Sequence, residues 1–449
     1  MRRSLPSALS LVALVSSGCG GGSSTPAPPS FVAPPAALSL EEGGEVSAAF
    51  SVNSGDGLTA SVLPVEGFDL ETLGAEGEPS VPLRPNSPQN FSVHAHARFG
   101  ATSATTQVVL TRAGEEVLRA PLTITVTSLR WRPTTTWKAE GPEAREHGAL
   151  IVDEARGRVI LIGGSGYAPY GTPLADAWSF RLADQHWTKL TITGDAPAAG
   201  GSRRVAWVDA AHVYLFGGYG EGSAVDADLY RLDLSGETIV SKKLAHTGGA
   251  PARSLHAFAY DGPGDRFVVF GGASTKALAD TWTMKIAGDT VTWTKLDATG
   301  PSARYGFFYG FDAGLRRLVI FSGAQRFSPL DPAQDTWALD LGSSPPTWRA
   351  IATDSPAPPG RRNGCFVYDE RRHALFVFGG TADAKVTEPG FFVLDALPGR
   401  ERWTKLVRDG EPALRSSGIG FYDPTRRQIT CGFGNTTSAV YADFTAFGP

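Results

Sequence analysis

Between Gly164 and Gly434 one pattern recurs six times. It runs from an arginine through an apolar strand ending in Asp, a polar turn and a second apolar strand closing on a glycine, usually as Gly-Gly, to Asp-x-Trp. The closing glycines are Gly164, Gly218, Gly272, Gly323, Gly380 and Gly434, at intervals of 54, 54, 51, 57 and 54 residues. A unit this short cannot bury its own apolar face. It needs neighbours on both sides, and a fixed number of neighbours can close into a ring.

Strand one carries Arg145, Arg253, Arg304, Arg361 or Arg415 and ends eight residues later at Asp153, Asp261, Asp312, Asp369 or Asp423. The second copy breaks the register, with Gly200 or Gly201 at the arginine position and Arg203 and Arg204 just beyond. Strand two is continuously apolar, as in Val159-Ile-Leu-Ile and Phe267-Val-Val-Phe, which suits a strand covered on both faces. Strand three is marked by Trp178, Tyr230, Trp282 and Trp337, with Phe392 and Tyr441 in two degenerate copies. Strand four is marked by Trp187, Trp293, Trp348 and Trp403. The sixth copy stops at Pro449 without a fourth strand, and a spare one precedes the first copy at Trp137-Lys-Ala. Placed beside Tyr441, it would tie the chain ends together and leave no open seam.

These glycine pairs, spaced aromatics and strand-four tryptophans resemble those of bacterial kelch repeats, over about 70% of the chain. The resemblance implies an all-β chain with a six-bladed kelch-type β-propeller at 129–449. It also implies that matching arginines line a ligand mouth, as they often do in related kelch proteins. The family contains binding modules and a few enzymes, among them galactose oxidase and sialic-acid mutarotase.

The rest of the chain divides into three. Arg2 and Arg3, the apolar stretch from Leu5 to Val15 and the site Ser16-Ser17-Gly18-Cys19 form a signal resembling that of bacterial lipoproteins, over residues 1–19. Cys19 would then be lipid-modified, and the protein exported and anchored in the cell envelope. Gly20 after the cysteine leans towards the outer membrane. Residues 20–37 are a Gly/Ser/Pro-rich tether. Residues 38–128 alternate apolar and polar side chains in short runs, which predicts a small immunoglobulin-like β-sandwich. His94 and His96 share one face of a strand there and are expected at the surface, without a third ligand for a metal. Cys365 and Cys431 stand in apolar slots of different repeats. They can pair in an oxidising compartment, but two such slots more often hold buried, unpaired cysteines.

Composition narrows the chemistry. With 53 Gly, 32 Pro and 19% charged residues the chain is turn-rich and all-β, and a net charge of −4 provides no field for nucleic acid. Strands one and two are antiparallel, so the repeat arginines share one end of the ring with the loops after the closing glycines. A structural role for these arginines is favoured. Ligand contact falls to two or three of them, because guanidinium groups bind carboxylates bidentately. The longest loops, Ser165–Ala175 with Tyr167 and Tyr170, and Ala324–Gln334 with Phe327, are expected to carry specificity.

The candidate binding face is therefore Arg145, Arg253, Arg304, Arg361, Arg415, Tyr167, Tyr170 and Phe327. No metal spacing, nucleophile elbow or phosphate loop is present, and neither Cys365 nor Cys431 has the setting a copper oxidase needs. No cofactor or metal is expected. The reading is a monomeric, non-catalytic recognition module for an extracellular protein or glycan. One alternative is a mutarotase-like enzyme on an acidic sugar, with His147 and Glu146 moving protons. Another is a purely structural envelope scaffold.

Overall fold

The computed structural model describes residues 28–32, 37–53, 58–74, 82–83, 89–133, 141–167, 170–382, 390–436 and 441–449. The lipid-anchor signal, Cys19 and Trp137 lie outside them. Among the described residues there is no α-helix; strands and short turns build eight sheets.

Two sheets enclose an N-terminal core. One orders Ser30–Phe31, Glu45–Asn53, Gln89–Ala97 and Phe68–Gly74, and the other Leu38–Glu41, Glu115–Thr127, Ala104–Arg112, Leu58–Val62 and Pro82–Leu83. Alternating inward residues such as Phe50, Val93, Leu110 and Ile124 fill the space between them.

The repeats form six sheets. In the first five, consecutive strands pair antiparallel from strand one to strand four. Examples are Ala257–Asp261, Arg266–Phe270, Thr281–Ala287 and Thr290–Leu296 in sheet three. Sheet two gains an extra edge strand, Ile192–Gly194, parallel to Ile239–Lys243. Sheet six takes three strands from the C-terminus and its fourth, Arg130–Pro133, from the segment before the first repeat. That outer strand is six residues earlier than expected. Trp131 pairs with Phe447 there, in the place Trp187 holds opposite Phe180 in sheet one. The matching third strand is Phe444–Gly448, so Tyr441 precedes it and does not mark it.

Backbone hydrogen bonds link the sheets head to tail. The closing-glycine N–H donates to a carbonyl of the next repeat: Gly164 to Gly200, Gly218 to Arg253, Gly272 to Arg304, Gly323 to Arg361, Gly380 to Arg415, and Gly434 back to Arg145, at 2.7–3.0 Å. The glycine is required twice over at Gly272. Its φ is +96°, and a Cβ there would sit 2.7 Å from the Ser254 carbonyl. The preceding position is also left-handed, and holds Ser322 and Phe433 in place of glycine in two repeats.

Two residues depart from expectation. Cys365 and Cys431 form a disulfide, Cα–Cα 6.1 Å, joining strand one of sheet five to strand two of sheet six. Their slots do face the apolar space between sheets, but from opposite sides of the same gap. His96 is buried, not at the surface, with Nδ1 3.3 Å from Asp69 and Nε2 3.7 Å from Asp395 of sheet five.

His96 is buried because the N-terminal unit packs on the ring. Glu41 pairs with Arg372 and Arg427, Glu42 with Arg408, and Glu45 with Arg400, while Phe99 sets its ring edge against Phe376. All these ring residues lie at or near the lower end of sheets five and six, opposite the repeat arginines. The arginine-bearing upper end is not part of that contact.

Candidate functional site

The repeat arginines are internal struts. Arg145, Arg253, Arg304 and Arg361 are fully buried and Arg415 nearly so. Arg253 shows the pattern. Its Nη1 and Nη2 donate to the two carboxylate oxygens of Asp280 at 2.9 Å, Nη1 also to the Gly271 carbonyl, and Nε to the Pro251 carbonyl. Arg145 with Asp176, Arg304 with Asp335 and Arg415 with Asp443 repeat the arrangement. The Asp is the one in Asp-x-Trp, and it also accepts the indole N–H two residues on, from Trp178, Trp282 or Trp337. Arg361 donates to the Pro359 and Gly379 carbonyls and lies over the Phe392 ring. In sheet two, Arg203 takes over from the missing arginine and reaches Asp226 and the Gly217 carbonyl. The repeat arginines therefore do not form the expected anion-binding face. Each guanidinium is turned inward to fix the strand-three entry, because an unpaired charge at such burial costs several kcal/mol.

Two positions after each arginine slot the chain turns left-handed, at His147, Ser202, Leu255, Gly306, Asn363 and Ser417. These six residues circle the channel, and backbone hydrogen bonds join five of the six neighbouring pairs, all but Ser202 and Leu255. Ser202 N–H donates to the His147 carbonyl, Gly306 to Leu255, Asn363 to Gly306, Ser417 to Asn363, and His147 to Ser417. At an inter-strand spacing of about 4.8 Å a six-membered ring has a radius of about 4.8 Å to its backbone, and less to its inner atoms. The channel is pinched there. Asn363 Oδ1 narrows it further by occupying the space a Cβ on Gly306 would fill.

His147 lies in this constriction, its ring edge-on to Tyr219 at 6.0 Å. Burial and the positive charges of Arg204 and Arg362 hold it down to about 3, so it is neutral at physiological pH. Held neutral, it can donate only its imidazole N–H, a much weaker acid than an imidazolium, to the mutarotase-like reaction. Glu146, the other member of that pair, accepts a hydrogen bond from Asn435 at 2.6 Å.

Two arginines near the channel that the repeat does not prescribe, Arg204 and Arg362, have no acidic partner among the described residues. Arg204 reaches into the channel, donates to the His256 carbonyl and lies 5.7 and 5.9 Å from the Tyr309 and Phe366 ring centres. Arg362 stands on the upper rim with its guanidinium 5.3 Å from the Tyr305 ring centre. Among the described residues its guanidinium makes one hydrogen bond, a 3.4 Å contact to the Tyr305 hydroxyl, and its buried Nε has no partner.

Phe327 rests on the other side of Tyr305, ring centres 5.0 Å apart, and is 48% exposed. The backbones of Tyr167 and Tyr170, which carry the other expected aromatics, are partners in the strand register. The segment expected as a loop continues strands two and three of sheet one upward, through Arg158–Tyr167 and Tyr170–Arg181.

At the lower end the strand-one aspartates are also engaged. Asp153 holds Arg156 and Arg158, Asp261 holds Arg266 and Arg316, and Asp423 holds Arg426. A cavity of about 740 Å³ opens there beside sheets one and two, walled by Leu150, Val152, Val205, Trp207 and Val208. Among the described residues no group of three or more His, Cys, Asp or Glu is placed to hold a metal ion.

Comparison with known proteins agrees with this geometry. Residues 114–308 match the model of the KLHDC2/KLHL20/DRC7 kelch-repeats domain. Adagio-like protein 3 of Oryza sativa subsp. japonica is 25% identical over 297 residues, 64% of this chain and 46% of that protein. Putative adagio-like protein 2 of the same plant is 26% identical over 329 residues, 69% of this chain and 50% of that protein. Tip elongation aberrant protein 1 of Schizosaccharomyces pombe is 26% identical over 208 residues, 44% of this chain and 17% of that protein. The chain thus spans half or less of the length of these relatives. The solved structure of YjhT superposes with a TM-score of 0.51 at 15% identity, over 68% of this chain and 95% of that one. The repeats of this chain are kelch repeats, and the ring they build is a β-propeller.

Proposed function

We propose that this chain is a recognition module of the cell envelope. Its ligand-binding surface is the upper face of a closed six-bladed propeller, carried behind an immunoglobulin-like sandwich and a lipid tether at Cys19. The kelch-type propeller is a rigid scaffold suited to holding a protein partner. The observation that carries the reading is the pinched channel. Its upper mouth is lined by hydrogen-bonded backbone, and four of the five repeat arginines beneath, Arg145, Arg253, Arg304 and Arg415, already hold a carboxylate. A small acid therefore has no deep basic pocket to enter, and a partner resting on the rim meets Arg362, Tyr305, Phe327, Tyr219 and the sheet-one hairpin. The N-terminal unit, packed below sheets five and six, leaves that rim clear.

Binding is tested by screening the soluble chain, residues 38–449, against a displayed peptide library and a glycan array. In parallel go a rim variant (Tyr219→Ala with Phe327→Ala) and a lower-end variant (Trp207→Ala). Hits lost only in the rim variant support the proposal; hits lost only in the lower-end variant reject it. Anchoring is tested by Cys19→Ser, which should abolish lipid processing and release the protein from membranes. Unchanged membrane fractionation would reject the anchor.

A further inference from the structure

We infer that the recognised partner is an extended acidic peptide, which places a carboxylate on Arg362 and an apolar side chain on Phe327. This rests on the upper-face reading above and specifies which part of the rim does the binding.

Three features of the rim combine here. First, Arg362 is a cation without a counter-ion among the described residues. Arg145, Arg203, Arg253, Arg304 and Arg415 each hold a carboxylate, whereas Arg362 has the Tyr305 ring, a long contact to its hydroxyl, and an Nε with no partner there. A guanidinium held this way gains most from an incoming carboxylate, since the charge-assisted bonds form without breaking an existing ion pair. Second, Phe327 is a large apolar side chain left half in water at the tip of its loop. It is not loose, because its ring lies against Tyr305, which is itself almost wholly buried. A rigid, half-exposed aromatic on a buried one is the usual make-up of an interface anchor. Third, Tyr305 connects the two, with the Phe327 ring centre 5.0 Å and the Arg362 guanidinium 5.3 Å from its own ring centre. The two binding groups are therefore no more than about 10 Å apart, a span that side chains at i and i+2 of an extended peptide, about 6.8 Å apart at their Cα atoms, can bridge.

The neighbouring charges do not compete. Arg326 is paired with Asp331 at 2.6 Å, so the acid nearest the loop tip is occupied. A sugar acid would satisfy Arg362 equally well, but it needs several further hydrogen-bonding groups around its ring. The surface beside Arg362 offers Phe327 instead. The chemistry favours a peptide of the form Glu-x-Phe or Phe-x-Glu.

The experiment titrates the residue 38–449 protein with acetyl-Glu-Ala-Phe-amide, acetyl-Phe-Ala-Glu-amide, their Gln counterparts and glucuronate, by saturation-transfer NMR and calorimetry. At least one Glu peptide should bind, and its Gln counterpart about tenfold more weakly or not at all. Arg362→Ala and Phe327→Ala should each weaken the Glu peptide by about tenfold or more, and Arg362→Lys by less. Thermal melts of the variants close to wild type guard against misfolding. Should Arg362→Ala melt early, Arg362→Gln gives the same readout with the side-chain volume kept. Binding unchanged in the Arg362 and Phe327 variants but lost in Tyr219→Ala overturns this inference and leaves the upper-face reading standing. Glucuronate binding that needs Arg362 but not Phe327 overturns the peptide in favour of a sugar acid. No binding of any Glu peptide overturns it outright.

Discussion

Truncation of a repeat arginine tests whether these residues hold the fold or a ligand. In Arg253→Ala the Asp280 carboxylate, only 18% exposed, loses its counter-ion, and the Gly271 and Pro251 carbonyls lose their donor. Burial pushes the Asp280 carboxyl up, but the hydrogen bonds and charge of Arg253 outweigh this and hold it below the ordinary carboxylate range. The pair therefore contributes stability above the unfolded carboxylate pKa and loses it as the pH falls through the lower folded value. Removing one partner of a buried pair costs about 3–5 kcal/mol, against a total of about 5–15 kcal/mol. At a slope of about 3 kcal/mol per M, the urea midpoint followed by circular dichroism should fall by about 1.3 M for a 4 kcal/mol loss. Asp280→Asn should cost a comparable amount, because it strands the buried guanidinium. The double variant Arg253→Met with Asp280→Leu should cost far less than the two losses added. A midpoint within about 0.3 M of wild type for Arg253→Ala, accompanied by lost ligand binding, would refute the strut role.

His147→Asn keeps a residue type that tolerates the left-handed turn and removes the buried imidazole. Because the folded His147 is held down to about 3, below its unfolded value near 6.5, it opposes folding increasingly as the pH falls from about 6.5. The variant should thus gain about 2 kcal/mol over wild type between pH 8 and pH 5, read from melting temperatures at the two values. Equal differences at both would contradict the neutral assignment. Reduction of Cys365–Cys431, which closes a loop of 66 residues, should lower stability by about 2–4 kcal/mol and have no effect in Cys365→Ala. A wild-type melting temperature indifferent to dithiothreitol, with both thiols open to alkylation, would contradict the pairing.

The order of strands was legible because it is written in periodic signals. Closing glycines recur where a carbonyl at the start of the same repeat leaves no room for a Cβ, and apolar runs recur where a strand is covered on both faces. The role of the arginines was half legible. The Asp of Asp-x-Trp was visible in three repeats, but sequence spacing does not reveal that a residue some thirty positions after the arginine folds back into bidentate reach, as Asp176 does to Arg145.

Trp131 was passed over for Trp137 because a tryptophan followed by lysine imitates the strand-four pattern, whereas Trp131-Arg-Pro departs from it. Arg203 replaces an arginine three positions earlier through side-chain reach alone, which strict counting cannot detect. The disulfide depended on two apolar slots facing across one gap, and the burial of His96 on an inter-unit contact. Neither leaves a local mark. Arg362 and Phe327 stand out only once the arginines around them are seen to be engaged.

The pairing of Arg130–Pro133 with Phe444–Gly448 has a consequence for the order of assembly. As the chain is made, sheets one to five can gather in sequence, but sheet six lacks its third strand until the last residues arrive. Until then Arg130–Pro133 has no partner and the first sheet has no neighbour on one flank. Contacts over such a separation form late, after the loop-closure entropy of the whole ring has been met. Loss of only the final six residues would therefore strand the earliest part of the domain as well as the latest. The outer strand would be cut off from sheet six, and with it the link that joins the N-terminal unit to the ring.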